Sequence, residues 1–120
     1  MTDTSLTLGQ KQRLFPLLVT ALIKQIYTLG LEMTFGETYR TPEQAALNEK
    51  RGLGIANSLH IKRLAIDINL FKDGIYLTNC DDYAVLGTFW KSLHPLARWG
   101  GDFTNLKDGG HFSLEHEGVK

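Results

Sequence analysis

Two short motifs hold the side chains best suited to chemistry. His60 and Asp67 lie at the ends of His-Ile-Lys-Arg-Leu-Ala-Ile-Asp, and Asp108 and His111 lie at the ends of Asp-Gly-Gly-His. Two imidazoles and a carboxylate can hold a zinc ion whose fourth position is left for water, as catalytic zinc sites do. Asp108 stands three residues before His111 and supplies a second carboxylate that can accept a proton from that water. The pattern predicts a metallopeptidase.

The same residues also have structural interpretations. A single histidine in a small domain is more often a hydrogen-bonded structural residue than a ligand, and Asp108 lies in a good turn sequence. Asp67 is harder to explain in this way, because an unpaired carboxylate inside an apolar strand costs several kcal/mol to bury. A metal, Arg63 or another cation must neutralise it, and spacing alone leaves these three open. Arg40 can likewise be an ordinary surface arginine.

The strand that carries Asp67 decides how the candidate ligands can meet. Residues 64–71 are apolar and alternate as a central strand does. His60 and Asp67 are seven residues apart, which would put them on opposite faces of one straight strand. We therefore expect His60 in the loop that enters the strand, and His111 on a neighbouring strand.

Helix and turn signals outline the remaining elements. Thr7 and Gln10 have capping-box spacing and begin an amphipathic helix that ends at Gly30, with a kink or restart at Pro16. The other elements have shorter signals. They are a strand at 31–35, a helix at 42–50 begun by Thr41 and broken by Gly52 and Gly54, a hairpin strand at 75–77, a helix capped by Asp81 or Asp82 and stopped by Pro95, and a strand at 111–114. The expected fold is α+β, with helices packed on a small antiparallel sheet.

Bulk properties exclude several classes of protein. The 120 residues suffice for one domain, which we place at 1–120. The formal net charge is zero, which argues against a nucleic-acid or anionic-membrane partner recognised by charge. Cys80 is the only cysteine, so an internal disulfide and a thiolate zinc cluster are excluded. The sequence shows no signal peptide and no apolar run that could span a membrane, so we expect synthesis in the cytoplasm without an exit signal.

The motifs together resemble those of the VanX/VanY-like D-alanyl-D-alanine carboxypeptidase/dipeptidase zinc peptidases, a family that includes phage L-alanyl-D-glutamate endolysins. Its first element, Ser-x-His-x-x-Gly-x-Ala-x-Asp, is matched at 58–67, and its Glu/Asp-x-x-His element is matched at 108–111. The segments Tyr-Arg-Thr-Pro-Glu-Gln at 39–44 and Trp-Gly-Gly-Asp-Phe at 99–103 are also similar, the latter to the phage branch. The resemblance runs from about Leu8 to Leu114.

The resemblance implies a role for each matched residue. His60, Asp67 and His111 would bind Zn²⁺, and Asp108 would act as general base and then as general acid. Arg40 would donate to the scissile carbonyl oxygen as negative charge develops there. Ser58 and Gln44 would contact the substrate or orient a ligand. The implied fold is that of the hedgehog and D-Ala-D-Ala-peptidase group.

Two positions depart from the family pattern. Arg63 stands where the broad signature has glycine, so the backbone there is not expected to rely on a positive φ. Asp108 stands where many members have glutamate, which makes the carboxylate one methylene shorter. Both departures bear on the geometry of the site.

The implied substrate is a peptidoglycan stem peptide, cut between L-Ala and D-Glu by a phage-type endolysin. We expect a monomer that is made in the cytoplasm and acts on the cell wall after release, without nucleic-acid partners or membrane insertion. One alternative keeps the chemistry and changes the bond, giving a D-Ala-D-Ala carboxypeptidase or dipeptidase. The other is a non-catalytic zinc-binding or wall-binding module on the same fold.

Overall fold

The computed structural model describes residues 6–53 and 58–120, so the predicted helix break at Gly54 lies outside the described residues. The helices are α1 (Leu8–Thr28), α2 (Pro42–Lys50) and α3 (Ala84–Leu93). The strands are β1 (Glu32–Phe35), β2 (Ala65–Lys72), β3 (Ile75–Tyr76), β4 (Ala97–Trp99) and β5 (His111–Leu114). Short 3₁₀ helices lie at Leu59–Lys62, Cys80–Tyr83 and Gly100–Asp102. This order confirms the predicted α+β class.

The sheet is antiparallel and is built around β2. Its strand order is β1-β2-β5-β4, and β3 pairs with the far end of β2 as the predicted hairpin partner. On the β5 side, β2 pairs through residues 65–67, which places Asp67 directly opposite His111. The predicted neighbouring-strand position of His111 is therefore confirmed.

One face of the sheet packs against α1 and α3. Alternate residues of β2, beginning at Ile66, are fully buried in a core that also takes side chains from both helices. Trp90 of α3 lies at the centre, with edge-to-face contacts to Phe15 of α1 and Phe112 of β5 at centroid distances of 5.7 and 6.1 Å. Since side chains alternate along a strand, Asp67 points to the opposite face.

Helix α1 has the predicted start and a different interior. Thr7 and Gln10 form the reciprocal capping box, with hydrogen bonds of 2.8 and 3.1 Å. Of the two alternatives predicted for Pro16, a kink or a restart, the restart is wrong, because the helix continues through Pro16 to Thr28. Pro16 lies on the exposed side of α1, where the carbonyl that loses its partner can be hydrated.

The predicted cap of α3 is also wrong. Asp81 and Asp82 lie in a preceding 3₁₀ turn, and Tyr83 is the residue directly before α3, where no side chain caps the helix. The Tyr83 hydroxyl accepts a hydrogen bond from the Leu70 backbone at 3.0 Å and donates one to the Leu77 carbonyl at 2.7 Å. These contacts fix the turn against the sheet. Within the described ranges, no helix is long and apolar enough to cross a membrane.

Candidate metal centre

Asp67 and His111 are brought together by strand pairing. The Asp67 backbone N–H donates to the Glu37 carbonyl at 2.8 Å, and the Asp67 carbonyl accepts from Gly36 at 2.7 Å. Both bonds point away from β5, so Asp67 and His111 form a non-hydrogen-bonded pair, the type in which facing side chains lie closest. His111 Nδ1 lies 3.4 Å from Asp67 Oδ1.

His60 reaches the same carboxylate from the 3₁₀ helix before β2. The Ser58 hydroxyl caps this helix and accepts a hydrogen bond from the His60 backbone N–H at 3.2 Å. The His60 Nδ1 atom lies 3.2 Å from the Thr38 carbonyl, which can only accept, so Nδ1 carries the proton. The other nitrogen, Nε2, is left facing Asp67 Oδ1 at 3.4 Å. This is the arrangement in which a second contact orients a metal-binding imidazole.

Arg63 makes the turn that joins this helix to β2. Its φ of 59° and ψ of 34° are left-handed, so the expectation that the backbone avoids a positive φ here is wrong. The turn between the helix and the strand requires this conformation whether or not glycine is present. The guanidinium lies 4.1 Å from the centre of the Tyr39 ring and not against Asp67. Arg63 is therefore not the cation that neutralises Asp67.

The three side chains fit a divalent cation. One potential ligand atom from each of His60, Asp67 and His111 lies within 4.8 Å of the others. Asp67 Oδ1 is buried and has no hydrogen-bond partner in the described part of the chain. A buried carboxylate oxygen without a partner is unfavourable, and a bound cation would satisfy it.

The pKa values of Asp67 and His60 also reflect the contacts within the cluster. Burial alone would raise the pKa of Asp67, but its contacts with His111 and His60 outweigh burial and hold the pKa well below its usual range. Burial lowers the pKa of His60, yet the adjacent Asp67 carboxylate outweighs it and raises the pKa above its ordinary value. The carboxylate thus attracts positive charge, and a metal ion would displace a proton from His60 on binding.

Asp108 is held beside this cluster by the loop before β5. Its backbone N–H donates to the Gly100 carbonyl at 3.0 Å, and its carbonyl accepts from the His111 N–H at 3.1 Å. Burial, followed by the negative charge of Asp67, raises the pKa of the Asp108 carboxyl above its usual range. A carboxyl with a raised pKa is a better proton donor and acceptor near neutral pH.

Arg40 is anchored by a residue that was not predicted. Glu37 Oε1 accepts a hydrogen bond from Arg40 Nε at 2.9 Å and a second one from the same guanidinium, and it lies 3.7 Å from His60 Nδ1. The backbone of residues 36–40 thus contacts Asp67 and His60. Within the same segment, the Glu37 side chain holds the Arg40 side chain. The only sequence signal that marked Glu37 is its position directly after the first predicted strand.

The candidate ligands lie in a cleft with a volume of about 880 Å³, here called the main cleft. Of the predicted site residues, Arg40, Ser58, His60, Asp67, Asp108 and His111 line it. Gln44 is exposed on α2 and does not belong to this lining, because its side-chain amide donates to Asn48 at 2.7 Å. A smaller cavity of about 310 Å³, here called the side cavity, shares Asp67, Lys107 and Asp108 with the main cleft.

The fold and the motifs have counterparts among known proteins. A family model described as D-alanyl-D-alanine carboxypeptidase matches residues 51–114. The crystal structure of the L-Ala D-Glu endopeptidase ChiX from Serratia marcescens aligns with a TM-score of 0.69 and 24% identity, covering 83% of this chain and 79% of that one. A mutant of the vancomycin-resistance D,D-pentapeptidase VanY, in complex with Zn(II), aligns with a TM-score of 0.55 and 20% identity, covering 83% and 70%. No curated protein matches the chain.

Proposed function

The chain belongs to the D-alanyl-D-alanine carboxypeptidase family of zinc peptidases, and on that premise we propose that it hydrolyses peptidoglycan stem peptides between L-Ala and D-Glu. The observation that carries this proposal is the convergence of His60, Asp67 and His111 in a cleft that Asp108 also lines. The similarity of the fold to an L-Ala D-Glu endopeptidase supports the choice of bond.

Zinc is the metal that the ligand set favours. Imidazole and carboxylate ligands suit Zn²⁺, and the fold is shared with a protein in complex with Zn(II). His60, Asp67 and His111 would hold the ion, and it would satisfy Asp67 Oδ1, which has no hydrogen bond among the described residues. Bound zinc would lower the pKa of a water molecule to about 7 and polarise the scissile carbonyl group.

Asp108 handles the proton in this mechanism. Its carboxylate accepts a proton from the attacking water and later delivers a proton to the departing nitrogen. The loop contacts to Gly100 and His111 keep Asp108 beside the ligands.

Arg40 has a catalytic role, and Ser58 has a positioning role. The Arg40 guanidinium donates to the scissile carbonyl oxygen as negative charge develops, and Glu37 holds the guanidinium in the cleft. The Ser58 hydroxyl fixes the His60 backbone and so the direction of the imidazole.

The shape of the site favours an endopeptidase. An enzyme that cuts inside a chain needs room on both sides of the scissile bond, and Asp67 and Asp108 line both the main cleft and the side cavity. The biological role that we propose is that of a phage-type endolysin, on the basis of the motif at 99–103. We also propose that residues 1–120 act as one zinc peptidase domain.

The test is digestion of purified Gram-negative sacculi by zinc-loaded protein, with the products read by mass spectrometry. We expect stem peptides that begin at D-Glu from the wild type and none from Asp108→Ala. Asp81→Ala, which removes an exposed carboxylate elsewhere, serves as the control and retains cleavage. Release of terminal D-Ala alone would make the chain a carboxypeptidase. A zinc-loaded wild type that cuts neither bond would be a non-catalytic module.

A further inference from the structure

The junction of the two cavities contains one cation. This junction consists of the residues common to both linings, which are Asp67, Lys107 and Asp108. Among the residues that the structure describes, Lys107 is the only positive side chain in it. Any anionic substrate group that enters the junction approaches the Asp108 carboxylate, and repulsion between the like charges disfavours it. A cation beside Asp108 offsets that repulsion.

Most other cations of the main cleft are already engaged. Arg40 is paired with Glu37, and Arg98 is paired with Glu115 at 2.9 Å. Lys107 has no ion pair among the described residues, and Lys120, on the same cleft lining, is its only counterpart in this respect. Lys107 is thus available for a ligand at the junction, while Lys120 offers a comparison within the same cleft.

The substrate class proposed above carries an anion at the matching place. In the peptidoglycan stem, D-Glu continues the chain through its γ-carboxyl group, which leaves its α-carboxylate free. That α-carboxylate is attached to the carbon that bears the scissile nitrogen. It therefore lies next to the atom to which Asp108 delivers a proton.

We propose that Lys107 binds this free α-carboxylate and so selects stem peptides whose leaving residue is anionic. The inference rests on the proposed function and names the substrate group that its site recognises. Lys107 and Asp108 are adjacent in sequence and line the same junction. Asp108 can therefore serve the leaving nitrogen while Lys107 binds the carboxylate beside that nitrogen. Lys107 is a substrate-binding residue in this proposal and takes no part in proton transfer.

Two synthetic stem peptides test the proposal. They differ only at D-Glu, which carries an α-carboxylate in one and an uncharged α-carboxamide in the other. For wild-type, zinc-loaded protein we expect kcat/KM to favour the carboxylate by about tenfold, the scale of a charge-assisted hydrogen bond. Lys107→Gln reduces this ratio to near one, Lys107→Arg retains most of it, and Lys107→Glu reverses it. Lys120→Gln is the matched control, and it keeps the wild-type preference.

Each other outcome has one meaning. A wild type that cuts both peptides equally, or a Lys107→Gln variant that keeps the full preference, overturns the assignment of Lys107 while the proposed function stands. Loss of the preference in Lys120→Gln instead would move the carboxylate site away from the junction. A wild type that cuts neither peptide contradicts the proposed function, and the inference then fails with it. Zinc content per chain, measured for every variant, shows that the site is intact.

Discussion

Asp108 combines the chemical role that we propose for it with an unfavourable position. Burial and the Asp67 carboxylate raise its pKa, so the ionised form that must accept a proton is less stable in the folded protein than in water. Activity and stability therefore pull in opposite directions at this residue.

Activity tests the first of these effects. Asp108→Asn should lower kcat by about 10²- to 10⁴-fold, the usual contribution of a general acid–base group, with little change in KM. Asp108→Glu, which keeps the carboxylate, should retain a measurable rate. Since the acid form cannot accept a proton, the wild-type rate should fall as the pH drops through the pKa of Asp108 in the zinc-loaded protein. An Asp108→Asn variant with wild-type kcat would remove Asp108 from the mechanism.

Stability tests the second effect, in the metal-free protein. A group whose pKa is raised by folding binds its proton more tightly in the folded state, so the stability that it contributes is lost as the pH rises through that pKa. At pH 7 the ionised Asp108 therefore destabilises the fold, by a small amount because solvent reaches its exposed side chain. We expect Asp108→Asn to raise the melting temperature at pH 7 and to change it little at pH 3, as measured by circular dichroism. An equal shift at both pH values would point to a cause other than charge.

The backbone conformation of Arg63 could not be predicted from its residue type. The arginine occupies a left-handed conformation that costs about 1–2 kcal/mol for a residue with a Cβ atom. Arg63→Gly and Arg63→Ala both lose the contact with Tyr39, so their difference isolates the backbone. We expect the glycine variant to be more stable by about 0.5–1 kcal/mol in urea unfolding, after the entropy of the unfolded chain is included. At Lys62, in the preceding 3₁₀ helix, the same pair should show the opposite order.

At the scale of elements, the loop that ends in β5 is set by a close backbone approach. A Cβ atom on Gly100 would lie 2.1 Å from the Asp108 carbonyl oxygen and 2.8 Å from the His111 Cβ. The 3₁₀ helix at Gly100–Asp102 can therefore bring Asp108 and His111 together only with glycine at its first residue.

Substitution of this glycine is a test of the loop. Gly100→Ala should displace Asp108 and His111 and lower zinc affinity by about 10- to 100-fold, the range seen when the support of a ligand is removed. The control is Gly9→Ala in α1, where the nearest atom is the flexible end of the Arg13 side chain at 3.3 Å. The control should keep zinc affinity and gain helix stability. Unchanged zinc affinity in Gly100→Ala would contradict this account of the loop.

Elements with local signals were predictable, and those that depend on tertiary contacts were not. The capping box of α1 and the Thr41 cap of α2 were read from the sequence because their hydrogen bonds join residues three apart. Strand β2 was placed within one residue at each end by its apolar alternation. Strand β4 was missed, because three residues carry no periodic signal and the strand exists through its pairing with β5. The start of α3 was misplaced because Tyr83 contacts the sheet.

The residues of the metal centre also differ in how well the sequence predicted them. His60, Asp67, Asp108 and His111 were predicted because their motif resembles that of a known family, and the structure brings them together. Glu37 was not predicted, because its contact with Arg40 becomes significant only when segment 36–40 is seen against His60 and Asp67. Gln44 was predicted on motif position alone, and its contact with Asn48 keeps it on the surface of α2.

At the scale of the whole molecule, the metal centre links parts of the chain that share little else. The ligands come from the 3₁₀ helix at Leu59–Lys62, from β2 and from β5, so a bound ion would join all three. An ion that binds only the folded state stabilises it, by about 2.7 kcal/mol at a free concentration of one hundred times Kd. We expect removal of zinc by a chelator to lower the melting temperature by about 10 °C and re-addition to restore it. In His111→Ala the chelator should have little effect.

The most direct test of the central claim is the zinc content of the purified protein after equilibrium dialysis at a fixed, low concentration of free zinc. We expect one zinc per wild-type chain, and a content near zero for His60→Ala, Asp67→Ala and His111→Ala. His94→Ala, which removes a histidine outside the cluster, should retain one zinc per chain. Folded single variants of His60, Asp67 or His111 that keep one zinc per chain would contradict the assignment of these residues as the metal ligands.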